Sequence, residues 1–154
     1  MFDNSIKYGE YGEHTVWNML MGFKNVRNVV DVRKDKNFQE QDIDFLVENL
    51  DRQFTPVEVK TDFKAHETGN LVYELTTGGN VGCFEKTKAR YILYFVPRAK
   101  VVYMVDVIQL REYVHQHQER LNEIQMGDSA TGYLVPISEL QEANVIKSTR
   151  KDIF

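Results

Sequence analysis

Apolar residues recur along this chain at two periods. Over residues 5–22, Val16, Trp17, Leu20 and Met21 fall at helical spacing and Gly22 suits a C-terminal end, which predicts a helix. Beyond it the period shortens to that of strands. "RNVVDVR" (27–33) predicts a strand and "KDKNFQEQ" a charged loop. "IDFLVEN" (43–49) and "FTPVEVKTDF" (54–63) predict two strands that form a hairpin through the turn "LDRQ". After the loop "KAHETGN" (64–70), Leu71, Tyr73 and Leu75 alternate with Val72, Glu74 and Thr76 in the strand "LVYELTT" (71–77). "GGNVGCFEKTKA" predicts a loop with a short helix, and "RYILYFVP" (90–97) and "KVVYMV" (100–105) predict two apolar strands joined by a tight turn.

Asp106 with Gln109 three residues on is a capping-box pattern, and it predicts a helix through about Gln125, ended by Met126 and Gly127. "GYLVPI" (132–137) predicts a strand, Ser138 with Gln141 repeats the capping pattern for a last short helix, and "NVIKSTRKDIF" predicts a tail or edge strand. The order of elements predicts an α/β fold: a single domain over residues 1–154, with a central mixed β-sheet flanked by helices.

Composition narrows the classes. With 154 residues, of which 42% are hydrophobic and 12% aromatic, a core can form without disulfides or metal staples. Cys83 is the single cysteine, so no internal disulfide or multi-cysteine zinc site can form; it reads as a small buried hydrophobe. The first residues, "MFDNSIKYGEYGEH", have neither the basic start nor the apolar run of a secretory signal, and no apolar segment approaches the ~20 residues of a membrane span. The expectation is a soluble protein of a reducing, cytoplasmic setting. A net charge of −4 argues against coating nucleic acid by bulk electrostatics, and leaves room for an enzyme that gathers Lys and Arg on one face.

The hairpin carries charges that a half-buried sheet has no structural use for. Residues i and i+2 of a strand share a face, so Glu58 and Lys60 project together, away from Val57 and Val59. The same rule groups Asp42 with Asp44, opposite Ile43, Phe45 and Val47. On the first helix, at about 100° per residue, Glu13 lies between Val16 and Trp17 in angle and points toward the sheet, with Glu10 one turn earlier as the fallback. Carboxylates that converge in a half-buried place stay ionised only beside a cation, and an all-oxygen shell suits Mg²⁺ or Mn²⁺. A lysine in reach can position or deprotonate a water, or stabilise charge on a phosphoryl group. A Glu-x-Lys pair alone is common on solvated sheet faces. Here the acidic strand before it, the inward Glu13 and the unbroken Val-Glu-Val-Lys alternation agree on one location.

These residues resemble the PD-(D/E)XK nuclease superfamily, the restriction-endonuclease-like fold. The resemblance runs from Glu13 through Asp44 to Glu58-Val59-Lys60, and extends to a phage and plasmid nuclease subgroup in "ETGNLVYEL", "CFEKTKARYILY" and "GYLVPI". It is also similar to archaeal Holliday-junction resolvases and phage endonucleases. The resemblance implies a Mg²⁺-dependent (or Mn²⁺-dependent) nuclease acting on DNA, of structure-selective or phage type, at work in the cytoplasm of a host cell. It implies Asp44 and Glu58 as metal ligands with the Val59 carbonyl, Glu13 completing or supporting the shell, and Lys60 orienting the attacking water. The chain departs from the pattern in one place: Ile43, not proline, precedes Asp44, and Asp42 stands two residues earlier on the same face as the alternative ligand.

Other residues carry weaker signals. Glu74 reads equally as an outer or second-metal carboxylate and as a solvated strand residue. In the loop after the Lys60 strand, Lys64, His66, Thr68 and Asn70 are candidates for contact with a substrate backbone. Lys86, Lys88 and Arg90, and Arg33, Lys34 and Lys36, offer a basic rim, although each group also suits an ordinary solvated face. His115 and His117 lie about 200° apart on a helix and read as surface residues. The sequence does not separate DNA from RNA, and a C2 homodimer is the simplest assembly for symmetric cutting of two strands. Two readings of other classes compete: a nucleic-acid-binding or assembly module that lacks turnover, and a structural domain in which Glu58 and Lys60 form a surface pair.

Overall fold

The computed structural model describes residues 4–151. It opens with helix α1 (Asn4–Met21), then strand β1 (Val26–Asp31), the short helix α2 (Lys36–Gln39), and strands β2 (Phe45–Asn49) and β3 (Phe54–Thr61). A single turn of helix, α3 (Ala65–Thr68), leads to β4 (Asn70–Thr77), β5 (Asn80–Val81) and the short helix α4 (Cys83–Lys86). Strands β6 (Tyr91–Val96) and β7 (Val101–Asp106) precede helix α5 (Val107–His117). Strands β8 (Asn122–Met126) and β9 (Ala130–Pro136), helix α6 (Ile137–Glu142) and strand β10 (Ile146–Lys151) complete the order.

Six strands form a mixed sheet in the order β1-β2-β3-β6-β7-β10, in which only β3 and β6 run parallel. This is the expected mixed α/β architecture, and the expected hairpin is present, with Phe45 opposite Val57. One face of the sheet is covered by α1: Val16 and Leu20 bury against Val57, Val59, Leu93, Phe95 and Val102. On the other face Ile92, Tyr94 and Val96 pack with Leu71 and Tyr73, with Leu110 and Val114 of α5, and with Leu140 of α6. That layer contains a second, four-stranded antiparallel sheet, β5-β4-β9-β8, which the sequence reading does not foresee.

The largest departure follows from that sheet. The predicted helix from Asp106 to Gln125 stops at His117, and Asn122–Met126 is strand β8, paired with β9. Asp106 does cap α5, accepting from the Gln109 amide at 2.9 Å. Leu121 continues the helical spacing of Val107, Leu110 and Val114, which is what extends the prediction. In Glu123–Met126 the half-buried Ile124 and Met126 alternate with exposed Glu123 and Gln125, so the strand period wins once β9 offers backbone partners. Ser138 does not cap the last helix, which begins one residue earlier behind Pro136, where the Ile137 amide donates to the Gly69 carbonyl. The loops 34–41 and 64–70 each contain a short helix, the first capped by Asp35 and the second closed by Gly69 at φ 71°. Of the predicted tail, 152–154 lie outside the described residues. No helix among those described is long and apolar enough to cross a membrane.

Candidate active site

Strand β3 splits its side chains between the two layers. Val57 and Val59 enter the core under α1, so Glu58 and Lys60, paired in register with Ile92 and Tyr94 of β6, point to the opposite face. Extending the Phe45–Val57 register by one residue puts Asp44 across from Glu58. The Asp44 amide donates to the Val57 carbonyl at 3.0 Å, and the Val59 amide donates to Asp44 Oδ2 at 2.8 Å. Asp44 is therefore tied at both backbone and side chain to the strand that carries Glu58 and Lys60. Because the N–H and C=O of one strand residue leave toward the same edge, the Val59 carbonyl faces the same side as Asp44.

Helix α1 delivers Glu13 from the other layer. It approaches β3 at Gly12, where an added Cβ would lie 1.7 Å from Thr61 Oγ1. A glycine is required there for close approach, and the next residue, Glu13, then reaches the margin of the sheet. Arg33, just past β1, donates to Glu13 Oε2 at 3.2 Å and to Asp31 Oδ2 at 2.7 Å, and its guanidinium lies 5.4 Å from the Phe45 ring centroid. Glu13, Asp44, Glu58 and Lys60 meet in one open cleft of about 470 Å³, whose wall is completed by Tyr8, Gly9, Val59, Thr61 and Phe63.

Burial sets the electrostatics. Glu58 is only 5% exposed, and its Oε2 is buried without a hydrogen-bond partner. Burial pushes its carboxyl up to about 7, against the pull of Lys60 and with a smaller push from Asp44 and Asp42. Asp44 is pushed up to about 6, again by burial first, with the Val59 amide opposing and Glu13 adding. Lys60 Nζ stands 3.4 Å from Glu58 Oε1. Burial alone would favour a neutral amine, but Glu58 first, with Glu74 adding, holds the ammonium charged well above the ordinary lysine range. The ammonium form of Lys60 is thus favoured, and it serves as a hydrogen-bond donor beside Glu58.

The remaining sequence candidates divide. Asp42 sits in the turn before β2 at φ 53° and faces Lys86 at 3.5 Å, outside the cleft. Glu10 is exposed, and α1 contributes Tyr8, Gly9 and Glu13 to the cleft instead. Glu74 accepts from Thr77 Oγ1 and lines an adjoining hollow with Lys60 and Lys64. His66 lies 3.4 Å from Glu67, while Thr68 Oγ1 accepts from the Asn70 amide, so these residues close the α3 turn. Lys88 is exposed, its backbone bound to the Gln41 carbonyl. Arg33 does not join a basic rim, because Asp31 and Glu13 hold it inward. His115 is exposed, as expected, and pairs with Glu85 at 3.3 Å, whereas His117 is half-buried and stacks on Tyr113. Cys83 is buried, and its thiol is pushed up to about 12 by that burial. Sequence reasoning does not find Tyr8, Gly9, Thr61 or Phe63 as cleft residues; the one local signal is a pair of glycines in a helix, which marks close approach or open space.

A divalent metal fits the donor set in part. A buried and a half-buried carboxylate, both with raised proton affinity and the buried one with an orphaned oxygen, form an oxygen-rich place that a hard cation would satisfy. Among the described residues, however, no three Asp, Glu, His or Cys side chains are gathered as one ligand group. A metal held there would therefore take Asp44 and Glu58, with backbone carbonyl and water oxygens completing its shell.

No protein-family model matches the chain. No curated protein matches it either. Among solved structures it is similar to that of a bacterial homing endonuclease, I-Ssp6803I, with a TM-score of 0.51 and 16% identity over 72% of this chain and 74% of that one. The likeness is one of fold.

Proposed function

We propose that this chain is a nuclease of the PD-(D/E)XK type, which hydrolyses phosphodiester bonds of DNA with Mg²⁺ or Mn²⁺. The observation that carries the proposal is the convergence of Asp44, Glu58 and Lys60 in one cleft, with Lys60 Nζ 3.4 Å from Glu58 Oε1 and Glu58 Oε2 buried and unpartnered. The fold shared with a homing endonuclease supports it. Asp44 and Glu58 would hold the metal, the Val59 carbonyl would add a ligand, and Glu13 would support the shell. When bound, a divalent ion supplies positive charge to the phosphate oxygens and lowers the pKa of a water molecule.

This chain's own residues do the rest. Lys60, charged and in contact with Glu58, donates to the attacking water or to a non-bridging phosphate oxygen, and stabilises the negative charge that grows there. It is no general base, since Glu58, against the opposing effect of burial, keeps its proton in place. Asp44 is pre-set by the Val59 amide, so it needs little reorganisation on binding.

The test is a cleavage panel of single-stranded, duplex, nicked, forked and four-way-junction DNA, with an RNA control, in Mg²⁺ and in Mn²⁺. Wild type cuts at least one DNA, and Lys60→Ala and Asp44→Ala both stop it. Cutting that survives both substitutions would sink the proposal. Salt-dependent binding with no cutting in either metal would replace it by a binding module without turnover.

A further inference from the structure

We infer that the cleft takes an unpaired strand, with the base beside the scissile phosphate stacked on Tyr8 and Phe63. This rests on the nuclease reading and narrows its substrate. Tyr8, on α1, is 51% exposed, and Phe63, just beyond β3, is half-buried. Their ring centroids lie 4.8 Å apart with planes at 59°. The core under α1 is built from Val16 and Leu20 and does not include Tyr8. An aromatic pair left open to solvent in the wall that also carries Glu13, Glu58 and Lys60 is a surface on which a flat apolar group can close.

Two neighbours of the pair say what that group is attached to. Between Tyr8 and Glu13 the helix carries Gly9, and a Cβ built there meets no atom within 4 Å, so the cleft has room beside the tyrosine ring. On its other side the cleft shares Lys60, Thr61 and Phe63 with a second hollow of about 340 Å³, on whose wall Lys64 stands. Lys60 and Lys64 offer an anionic backbone a path past the aromatic pair, in a hollow that Asp62 and Glu74 also line. Aromatic rings flanked by cations suit a nucleic-acid strand, and they suit an unpaired one, because the faces of paired bases are already stacked inside a duplex.

The experiment uses the full chain and oligonucleotides carrying 2-aminopurine as single strand, as the open arm of a fork, and within a complete duplex. Binding is read in EDTA by fluorescence, and cleavage is read after addition of Mg²⁺ or Mn²⁺. Stacking predicts that wild type changes the 2-aminopurine signal of the single strand and the fork. Tyr8→Ala and Phe63→Ala should each weaken single-strand binding about tenfold more than duplex binding, the size of one base–aromatic stack. Tyr8→Phe and Phe63→Tyr should restore it, which separates stacking from misfolding. Equal weakening on both substrates, or no signal change with the unpaired base, overturns the inference. If the stacking signal is present but no nucleic acid is cut in either metal, the nuclease reading falls and the stacking site stands. If duplex is cut as fast as the open arm, the nuclease stands and the unpaired-strand inference falls.

Discussion

The Val59 amide donates to Asp44 Oδ2 at 2.8 Å, so the carboxylate that precedes one strand is held by the strand beside it. The bond joins two features that are 15 residues apart in sequence. It stops Asp44 from rotating away and sets it across from Glu58. Asp44→Ala leaves that amide without its acceptor and should cost about 1–3 kcal/mol. Asp44→Asn keeps an oxygen acceptor and sheds a buried charge, so its urea midpoint should match or exceed wild type. Cleavage should nonetheless fall by on the order of 10²–10³ in Asn as in Ala, because charge toward the metal and phosphate is lost. Equal stability losses in the two variants would count against the hydrogen bond as the anchor.

Burial of the two carboxylates makes stability depend on pH in a definite direction. Glu58 near 7 and Asp44 near 6 lie above the values of about 4.3 and 3.9 that such groups have in an unfolded chain. Between those limits the folded chain retains protons that the unfolded chain has released. Their contribution is therefore most favourable at about pH 4 and declines as pH rises toward 7. For Glu58 the full decline is about 4 kcal/mol. Urea titrations in EDTA should show wild type losing stability from pH 5 to 8, relative to Glu58→Gln, which lacks the titration. Parallel profiles for the two proteins would remove burial as the cause. Mn²⁺ affinity by calorimetry should rise about tenfold per pH unit between pH 6 and 7, as metal displaces the Glu58 proton, and more steeply below 6, where the Asp44 proton is displaced as well.

The two glycines inside α1 should respond to alanine with opposite signs. At Gly9 a Cβ meets open space, and the gain in helix propensity should raise stability by roughly 0.5–1 kcal/mol. At Gly12 the Cβ would fall 1.7 Å from Thr61 Oγ1 and 3.0 Å from Thr61 Cβ, so rotation of the threonine alone cannot clear it. Gly12→Ala should cost about 1–3 kcal/mol and lift Glu13 from the cleft. Thermal melts of the two variants decide it: a shift of the same sign in both would be inconsistent with the approach of α1 to β3.

Tyr94 of β6 links β4 to the turn that follows β3. Its hydroxyl accepts from the Val72 amide at 3.2 Å and donates to Asp62, whose other oxygen accepts from the Lys64 and Ala65 amides at 2.7 and 3.0 Å. Tyr94→Phe leaves the Val72 amide unpaired and should cost about 1–3 kcal/mol. Amide exchange over 62–70 should quicken more than exchange in α5. Uniform quickening would mean a global loss and no special tie to this turn.

Much of this was legible because it is local. The period of α1, the hairpin of β2 and β3, and the Val-Glu-Val-Lys alternation depend on neighbours in sequence, and the structure has all three. The helix predicted to Gln125 fails for a non-local reason, since only the edge of β9 makes a strand of Asn122–Met126 preferable. Asp42 and Asp44 have equal claims by strand period. Backbone conformation separates them, Asp42 turning at φ 53° toward Lys86 while Asp44 continues into β2. Arg33 could not be assigned from its own stretch, because its partner Glu13 is 20 residues away.

Sequence periodicity by itself determined which residues share a face: Glu58 with Lys60 on one side of β3, Val57 with Val59 on the other, and Glu13 on the inward stripe of α1. Three-dimensional assembly decided which faces meet. Glu13 and the Glu58–Lys60 pair come from opposite layers of the sheet and converge only at its margin, where Gly12 lets α1 close on Thr61. Side-chain direction is set within a few residues by backbone geometry, whereas the distance between two carboxylates and the water left around them depend on every element packed between, and so do their charges.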